Sequence, residues 1–234
     1  MAVTRLLLAS ASPARRSTLI AAGIDPLVAV SGVDEDAVLA EASERFGTLE
    51  PADAVLALAH AKAQWVVEHR PSLATGELLA DDDRDAPDVV VLGCDSMLEL
   101  DGEIRGKPVD AADATARWRA MRGRSAVLHT GHWLIDDRDP AAGGTGGTLG
   151  ATSSTVVHFA DLSDAEVDAY VATGEPLAVA GAFTVDGLGG AFVTKIEGDH
   201  HGVVGVSLPL LRELLGELGV TMPDLWRPTT DVVP

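Results

Sequence analysis

Apolar residues along this chain fall into two rhythms: short unbroken runs bounded by turn residues, and longer stretches where they recur every three or four positions. That mixture predicts strands interleaved with helices. Residues 6–9 form the first such run, followed by a helix that Ser12 caps, Pro13 opens and Gly23 ends. Residues 27–30 are extended, and Pro51 opens a helix with Val55, Leu58 and Trp65 on one stripe. The run at 89–92, between Pro87 and Gly93, has the pattern of a strand covered on both faces. Leu98 and Leu100 then alternate with polar residues, Asp101-Gly102 supplies a positive-φ hairpin turn, and a return strand delivers Lys107-Pro108 near the place the first strand ended. Asp95 is thereby expected at the end of a buried strand, with Lys107 converging on it, although these residues alone fit an ordinary hairpin with a turn-capping aspartate equally well.

Residues 111–121 read as a helix closed by Gly123, and strands at 126–135 and 152–159 are joined by a glycine-rich hairpin loop at 136–151. Ser163-Asp164-Ala165-Glu166 is a capping box, opening a helix that carries Val167, Tyr170 and Val171 and stops at Gly174. A glycine-punctuated stretch at 181–190, a strand at 192–196, a polar turn at 198–202 and a helix at 209–218 complete the pattern. Residues 76–88, rich in aspartate, read as a surface loop, and residues 227–234 as a tail.

Composition narrows the function. The 234 residues are 47% hydrophobic, enough for one large domain or two closely packed lobes over 1–226. The formal net charge of -19, from 36 acidic against 17 basic residues, disfavours nucleic-acid polymers and anionic membranes as partners. A phosphate ligand would need a local basic cluster or a metal. The single cysteine, Cys94, excludes an internal disulfide and fits a buried thiol in a reduced cytoplasm. No apolar run approaches transmembrane length, and LLLA is too short for a secretory core.

Candidate chemistry collects at a few places. Ser10-Ala11-Ser12-Pro13-Ala14-Arg15-Arg16 sets a helix N-terminus, where free N–H groups attract anions, beside two arginines that oppose the macrodipole unless an anion joins them. Phosphate is the natural candidate, a solvated helix face the plainer reading. Asp34, Glu35 and Asp36 follow a strand and could hold a divalent cation, although a solvated acidic loop is the commoner outcome. Lys62 falls beside the apolar stripe of its helix, so it either snorkels or reaches into a cleft. The glycines at 143–150 match neither G-x-G-x-x-G nor G-x-x-x-x-G-K-[ST], and His200-His201 reads as part of a polar turn before it reads as a metal site.

Taken in order, LASASPARRSTLIAAGI, Asp34-Glu35, LALAHAKA, GCDSMLELDGEIRGKP, HTGHWLI, YVATGEPLAVAGAFTVDGLGGAF and IEGDHHGVVGVSLPLLRELL resemble the Maf family of nucleoside triphosphate pyrophosphatases across nearly the whole chain. The resemblance implies a mixed, twisted α/β sheet flanked by helices, with two lobes around a deep nucleotide-binding cleft. It also implies a divalent cation, Mg²⁺ or Mn²⁺, and hydrolysis between the α and β phosphates to a monophosphate and pyrophosphate. Position by position, Asp95 corresponds to the catalytic acidic residue and Glu35 to the partner carboxylate that helps hold metal. Lys62 and Lys107 correspond to phosphate-binding lysines, and Ser10, Ser12 and Arg15 to the first loop. Ala14 stands where the family usually has arginine, with Arg16 the candidate substitute. Ser96 replaces a common threonine, and Asp186 stands where one branch carries glutamine.

A buried Asp186, if ionised, would accept hydrogen bonds only and so favour cytosine or guanine edges over the O4 of uracil or thymine; turned away, it would instead cap the loop at 187–190. The expectation is an enzyme that is not strictly thymidine- or uridine-directed. Whether the preferred base is an ordinary or an altered one stays open, as does a homodimeric state. A nucleotide-binding regulator of septation without turnover is the alternative in another class, and a metal-dependent phosphomonoesterase is a third reading, distinguished by releasing orthophosphate.

Overall fold

The computed structural model describes residues 4–73 and 88–226; the tail, and the acidic loop apart from Asp88, lie outside the described residues. Its centre is a seven-stranded mixed sheet in the order β2-β1-β3-β5-β6-β7, with β4 paired to β3 alone. The strands are β1 (Arg5–Leu8), β2 (Leu27–Val28), β3 (Val89–Leu100), β4 (Glu103–Arg105), β5 (Ser125–Asp137), β6 (Thr148–Phe159) and β7 (Val193–Glu197). β1 runs parallel to β2 and β3, and the remaining pairs are antiparallel.

Side-chain alternation decides what covers each face. Leu6, Leu8, Val90, Leu92 and Cys94 pack with Leu19 and Ile24, contributed by and following α1 (Pro13–Ala21), and with Leu211, Leu214 and Leu215 of α7 (Leu208–Glu217). Leu7, Ala9, Val89 and Val91 meet Ala63 and Val66 of α3 (Pro51–Leu73). Farther along β3, Leu98 and Leu100 join a cluster with Trp118 and Met121 of α4 (Ala111–Met121) and with Val167, Tyr170 and Val171 of α5 (Asp164–Ala172). The run at 89–92 is thus buried on both faces, as its composition requires. The capping box at Ser163 and Glu166 forms as expected.

Five expectations need correction. β3 continues through Asp95 to Leu100, so this residue stands mid-strand rather than at a strand end. Gly93 does not punctuate the strand; a Cβ there would lie 2.0 Å from the Ala59 carbonyl oxygen, so its role is to let α3 lie against the sheet. Residues 35–46 form helix α2 (Glu35–Phe46) instead of continuing an acidic loop, because Asp34 accepts from the Ala37 N–H at 3.1 Å, and Glu35 and Asp36 in the first turn suit the dipole. The polar turn at 198–202 becomes α6 (His200–Val204), capped by Asp199 accepting from the N–H groups of His201 and Gly202. Finally, β5 and β6 extend into the glycine-rich stretch and leave a shorter connection than 136–151.

One consequence of the topology positions everything that follows. β1 pairs with β3 only as far as Leu8 against Leu92, and β4 takes up the same strand from Leu98. Between them, at 93–97, the described strands leave that edge of β3 uncovered.

Candidate active site

A cleft of about 510 Å³ opens at this gap. The chain leaving β1 (Ala9 to Arg15), the chain leaving β4 (Gly106 and Lys107), Lys62 of α3, and Val179 and Phe183 to Asp186 from the loops after α5 surround Asp95 and Ser96. Sheets commonly bind ligands where the connections on a strand edge diverge in this way.

Asp95 is only 7% exposed and Lys62 only 9%. The lysine reaches Asp95 because glycine at 93 and at 131 brings the α3 backbone against the sheet; a Cβ on Gly131 would stand 2.4 Å from the Val55 carbonyl oxygen. Lys62 Nζ lies 2.5 Å from Asp95 Oδ1 and 2.7 Å from Glu35 Oε1, so one ammonium bridges two carboxylates. Burial pushes the Asp95 carboxyl above the usual carboxylate range and outweighs the lowering by Lys62 and Arg15. A carboxylate so placed has its proton affinity shifted toward that of a general base.

The opposite wall is a polar network around Arg15. Its Nε donates to the Gly205 carbonyl, Nη1 to Ser10 Oγ and Nη2 to Ser96 Oγ, each at 3.0 Å. Thr130 donates its hydroxyl to the Gly202 carbonyl at 2.8 Å, so in the 2.9 Å contact between Ser96 and Thr130 the serine is the donor. Ser12 caps α1 by accepting from the Arg15 N–H, and its own N–H donates to Ser10 Oγ. Arg15 is thereby locked in place with two of its five N–H groups uncommitted by these bonds. Beneath the network, His132 Nε2 accepts from the Ser207 N–H at 2.8 Å, so Nδ1 carries the proton and donates to the Thr130 carbonyl. Burial holds this imidazole down to about 4, which keeps it a neutral strut.

Lys107 lines the cleft from an exposed position beside buried Pro108. Its loop is braced by Arg117, whose Nη1 donates to the Gly106 carbonyl at 2.6 Å and which pairs with Asp113 at 2.7 Å; the Gly181 N–H donates to the same carbonyl. Sequence reading missed Arg117, for which the i,i+4 spacing from Asp113 was the one available signal. It also missed Thr130 and His132, whose roles depend on cross-strand neighbours.

The structure thus brings Ser10, Ser12, Arg15, Glu35, Lys62, Asp95, Ser96, Lys107 and Asp186 around one cleft. It does not bring Arg16, which is exposed on α1 and absent from the lining. α1 turns roughly 100° per residue, which carries Arg16 away from the direction Arg15 takes. Asp186 lines the cleft but is exposed, in contrast to the buried carboxylate on which base discrimination was predicated.

Asp95 and Glu35 converge on the Lys62 ammonium, and their oxygens are hard donors of the kind that suit Mg²⁺ or Mn²⁺ where one or two carboxylates are completed by phosphate oxygens and water. Among the described residues, no three His, Cys, Asp or Glu side chains come together, so no all-protein cage competes with that arrangement. No helix of the described residues is long and apolar enough to cross a membrane.

The Maf-like protein family model matches residues 5–218. A nucleoside triphosphate pyrophosphatase of Salinispora tropica is 54% identical over 98% of this chain and 91% of its own length. Proteins of the same name from Nocardia farcinica (53% identical; 95% of this chain, 96% of theirs) and Streptomyces avermitilis (49%; 96% and 95%) are similarly close. With a matching model over residues 5–218 and relatives about half identical over more than nine-tenths of their length, this chain belongs to the Maf family.

Proposed function

We propose that this protein is a nucleoside triphosphate pyrophosphatase that hydrolyses the bond between the α and β phosphates of a ribo- or deoxyribonucleoside triphosphate, releasing a monophosphate and pyrophosphate. The observation that carries the reading is the buried Asp95, its proton affinity raised, bridged through Lys62 to Glu35 at the mouth of the sheet gap. A protein that merely bound nucleotide would have no use for a buried carboxylate whose proton affinity is raised.

In this reading the triphosphate lies across the N-terminus of α1, where the Ala14 N–H, the remaining N–H groups of Arg15, Lys62 and Lys107 offset its charge. Asp95 takes the proton of the attacking water. Lys62, already within reach of both carboxylates, steadies the charge that shifts as the anhydride breaks. A Mg²⁺ or Mn²⁺ ion held by Asp95 and Glu35 would neutralise phosphate charge and make the bound water more acidic. The two core clusters flanking Ser96 are, in this proposal, the two lobes between which the nucleotide sits. A cytoplasmic setting follows from the substrate, whose pools lie there.

The test is a product-resolved assay of the purified protein against a panel of nucleoside triphosphates with Mg²⁺ or Mn²⁺. Monophosphate and pyrophosphate in equal amounts are expected; orthophosphate as the first product would replace this reading with a phosphomonoesterase.

A further inference from the structure

Arg15, Lys62, Lys107 and the N-terminus of α1 line the cleft together with an apolar set, Val30, Leu128, Val179, Phe183 and Val185. Resting on the proposed reading, the phosphates meet the cations and the nucleoside meets apolar residues that include Val185. What holds the turn carrying Val185 in shape is a carboxylate outside the cleft lining. Glu175 Oε1 accepts from the Tyr170 hydroxyl at 2.8 Å, the Thr184 hydroxyl at 2.5 Å and the Gly189 N–H at 3.0 Å, and Oε2 accepts from the Leu188 N–H at 3.0 Å. The donors come from both ends of the turn at 184–189, and the residues between them, Val185 and Asp186, line the cleft.

We propose that Glu175 is the positioning residue for nucleoside recognition, its carboxylate fastening both ends of this turn so that Val185 and Asp186 are held against the sugar and base. The turn is built to admit it. A Cβ on Gly187 would stand 2.7 Å from Glu175 Oε2, and one on Gly189 2.3 Å from the Tyr170 hydroxyl. Tyr170 adds a second tie by accepting from the Thr184 N–H at 3.3 Å. Burial acts to raise the Glu175 pKa, but the Thr184 hydroxyl, the Leu188 and Gly189 N–H groups and the Tyr170 hydroxyl together hold it down to about 2. The carboxylate therefore stays a four-donor acceptor throughout the range in which an enzyme works.

Glutamine at this position keeps the shape, but its NH₂ cannot accept from the Leu188 N–H, or from the Gly189 N–H if the amide turns, and the charge is lost, so the turn is held less firmly. Glu175→Gln is expected to raise KM for the triphosphate about tenfold or more while kcat changes little, since bonds to a charged acceptor are among the stronger ones. Calorimetry separates nucleoside from phosphate binding without turnover: the Kd of the nucleoside monophosphate should rise by a similar factor, and that of pyrophosphate should stay within about twofold. Monophosphate affinity equal to the wild type, or pyrophosphate affinity lost in step with it, would overturn the proposal. Should Glu175→Gln fail to fold, Tyr170→Phe removes one donor and one tie and decides the matter; a smaller rise in the monophosphate Kd alone supports the proposal, and no rise overturns it. Because both constants are read by binding, a protein without pyrophosphatase activity would refute the proposed reaction and still leave this inference decided by their ratio.

Discussion

Replacing Asp95 by asparagine removes one charge and leaves the shape of the side chain. The asparagine carbonyl oxygen can still accept from Lys62, and Lys62 keeps Glu35 at 2.7 Å, so the packing around α3 and β3 is expected to survive. What disappears is the proton acceptor. Losing a general base typically costs about 10²- to 10⁴-fold, equivalent to about 3–5 kcal/mol of barrier. Steady-state assays of pyrophosphate release should show this drop in kcat with the melting temperature preserved.

Stability adds an independent check with a definite sign. Burial raises the Asp95 pKa in the folded protein, so its contribution to stability is fully present below the unfolded carboxylate pKa and is lost as pH rises through the folded one. Asparagine does not titrate. The melting temperature of Asp95→Asn relative to wild type should therefore improve from pH 4 to pH 7. Turnover near the wild-type value, or a relative melting temperature that falls over that interval, would refute the reasoning.

Lys107→Ala should raise KM about tenfold through loss of a charge-assisted phosphate contact and leave the melting temperature unchanged, because the side chain is exposed; unchanged kinetics with lowered stability would make it a structural residue. Glu35→Gln should increase the Mg²⁺ concentration needed for half-maximal rate, measured at saturating nucleotide, and an unaltered metal dependence would remove Glu35 from the site. Gly93→Ala forces a Cβ into the Ala59 carbonyl, so it should cost about 1–3 kcal/mol in urea unfolding and reduce kcat by moving Lys62 away from Asp95. Arg16→Ala should change neither KM nor kcat, and a raised KM would return Arg16 to the phosphate site.

Much of this was legible in the sequence because local rules and the tertiary structure agree. Ser12, Pro13 and Gly23 delimit α1 where capping chemistry says they must, and Asp101-Gly102 makes its hairpin with φ of 57° and 79°. Asp95 and Lys107 are recognisable as neighbours because an apolar run and a hairpin bring them to one edge, and the family resemblance adds the Ser10 to Arg15 loop to them. The failures share a physical origin. Gly93 looks like a strand terminator until α3 is laid across it. Arg15 and Arg16 are equivalent in composition, and only the angle between them on α1 separates a cleft residue from a solvated one. Glu175 acts on backbone N–H groups 13 and 14 residues away, and Arg117 on backbone carbonyls 11 and 10 residues away, and backbone groups leave no mark in a pattern of side chains.

The most direct measurement of the central claim is turnover of a nucleoside triphosphate in ¹⁸O-labelled water, with all products separated by mass spectrometry. Hydrolysis at the α–β anhydride by a water that Asp95 activates requires one labelled oxygen per turnover, found in the monophosphate or in pyrophosphate, and none in orthophosphate. Label in orthophosphate together with a nucleoside diphosphate would mean that the terminal phosphate is the one removed, and the arrangement of Asp95, Lys62 and Glu35 described above would not be a pyrophosphatase centre.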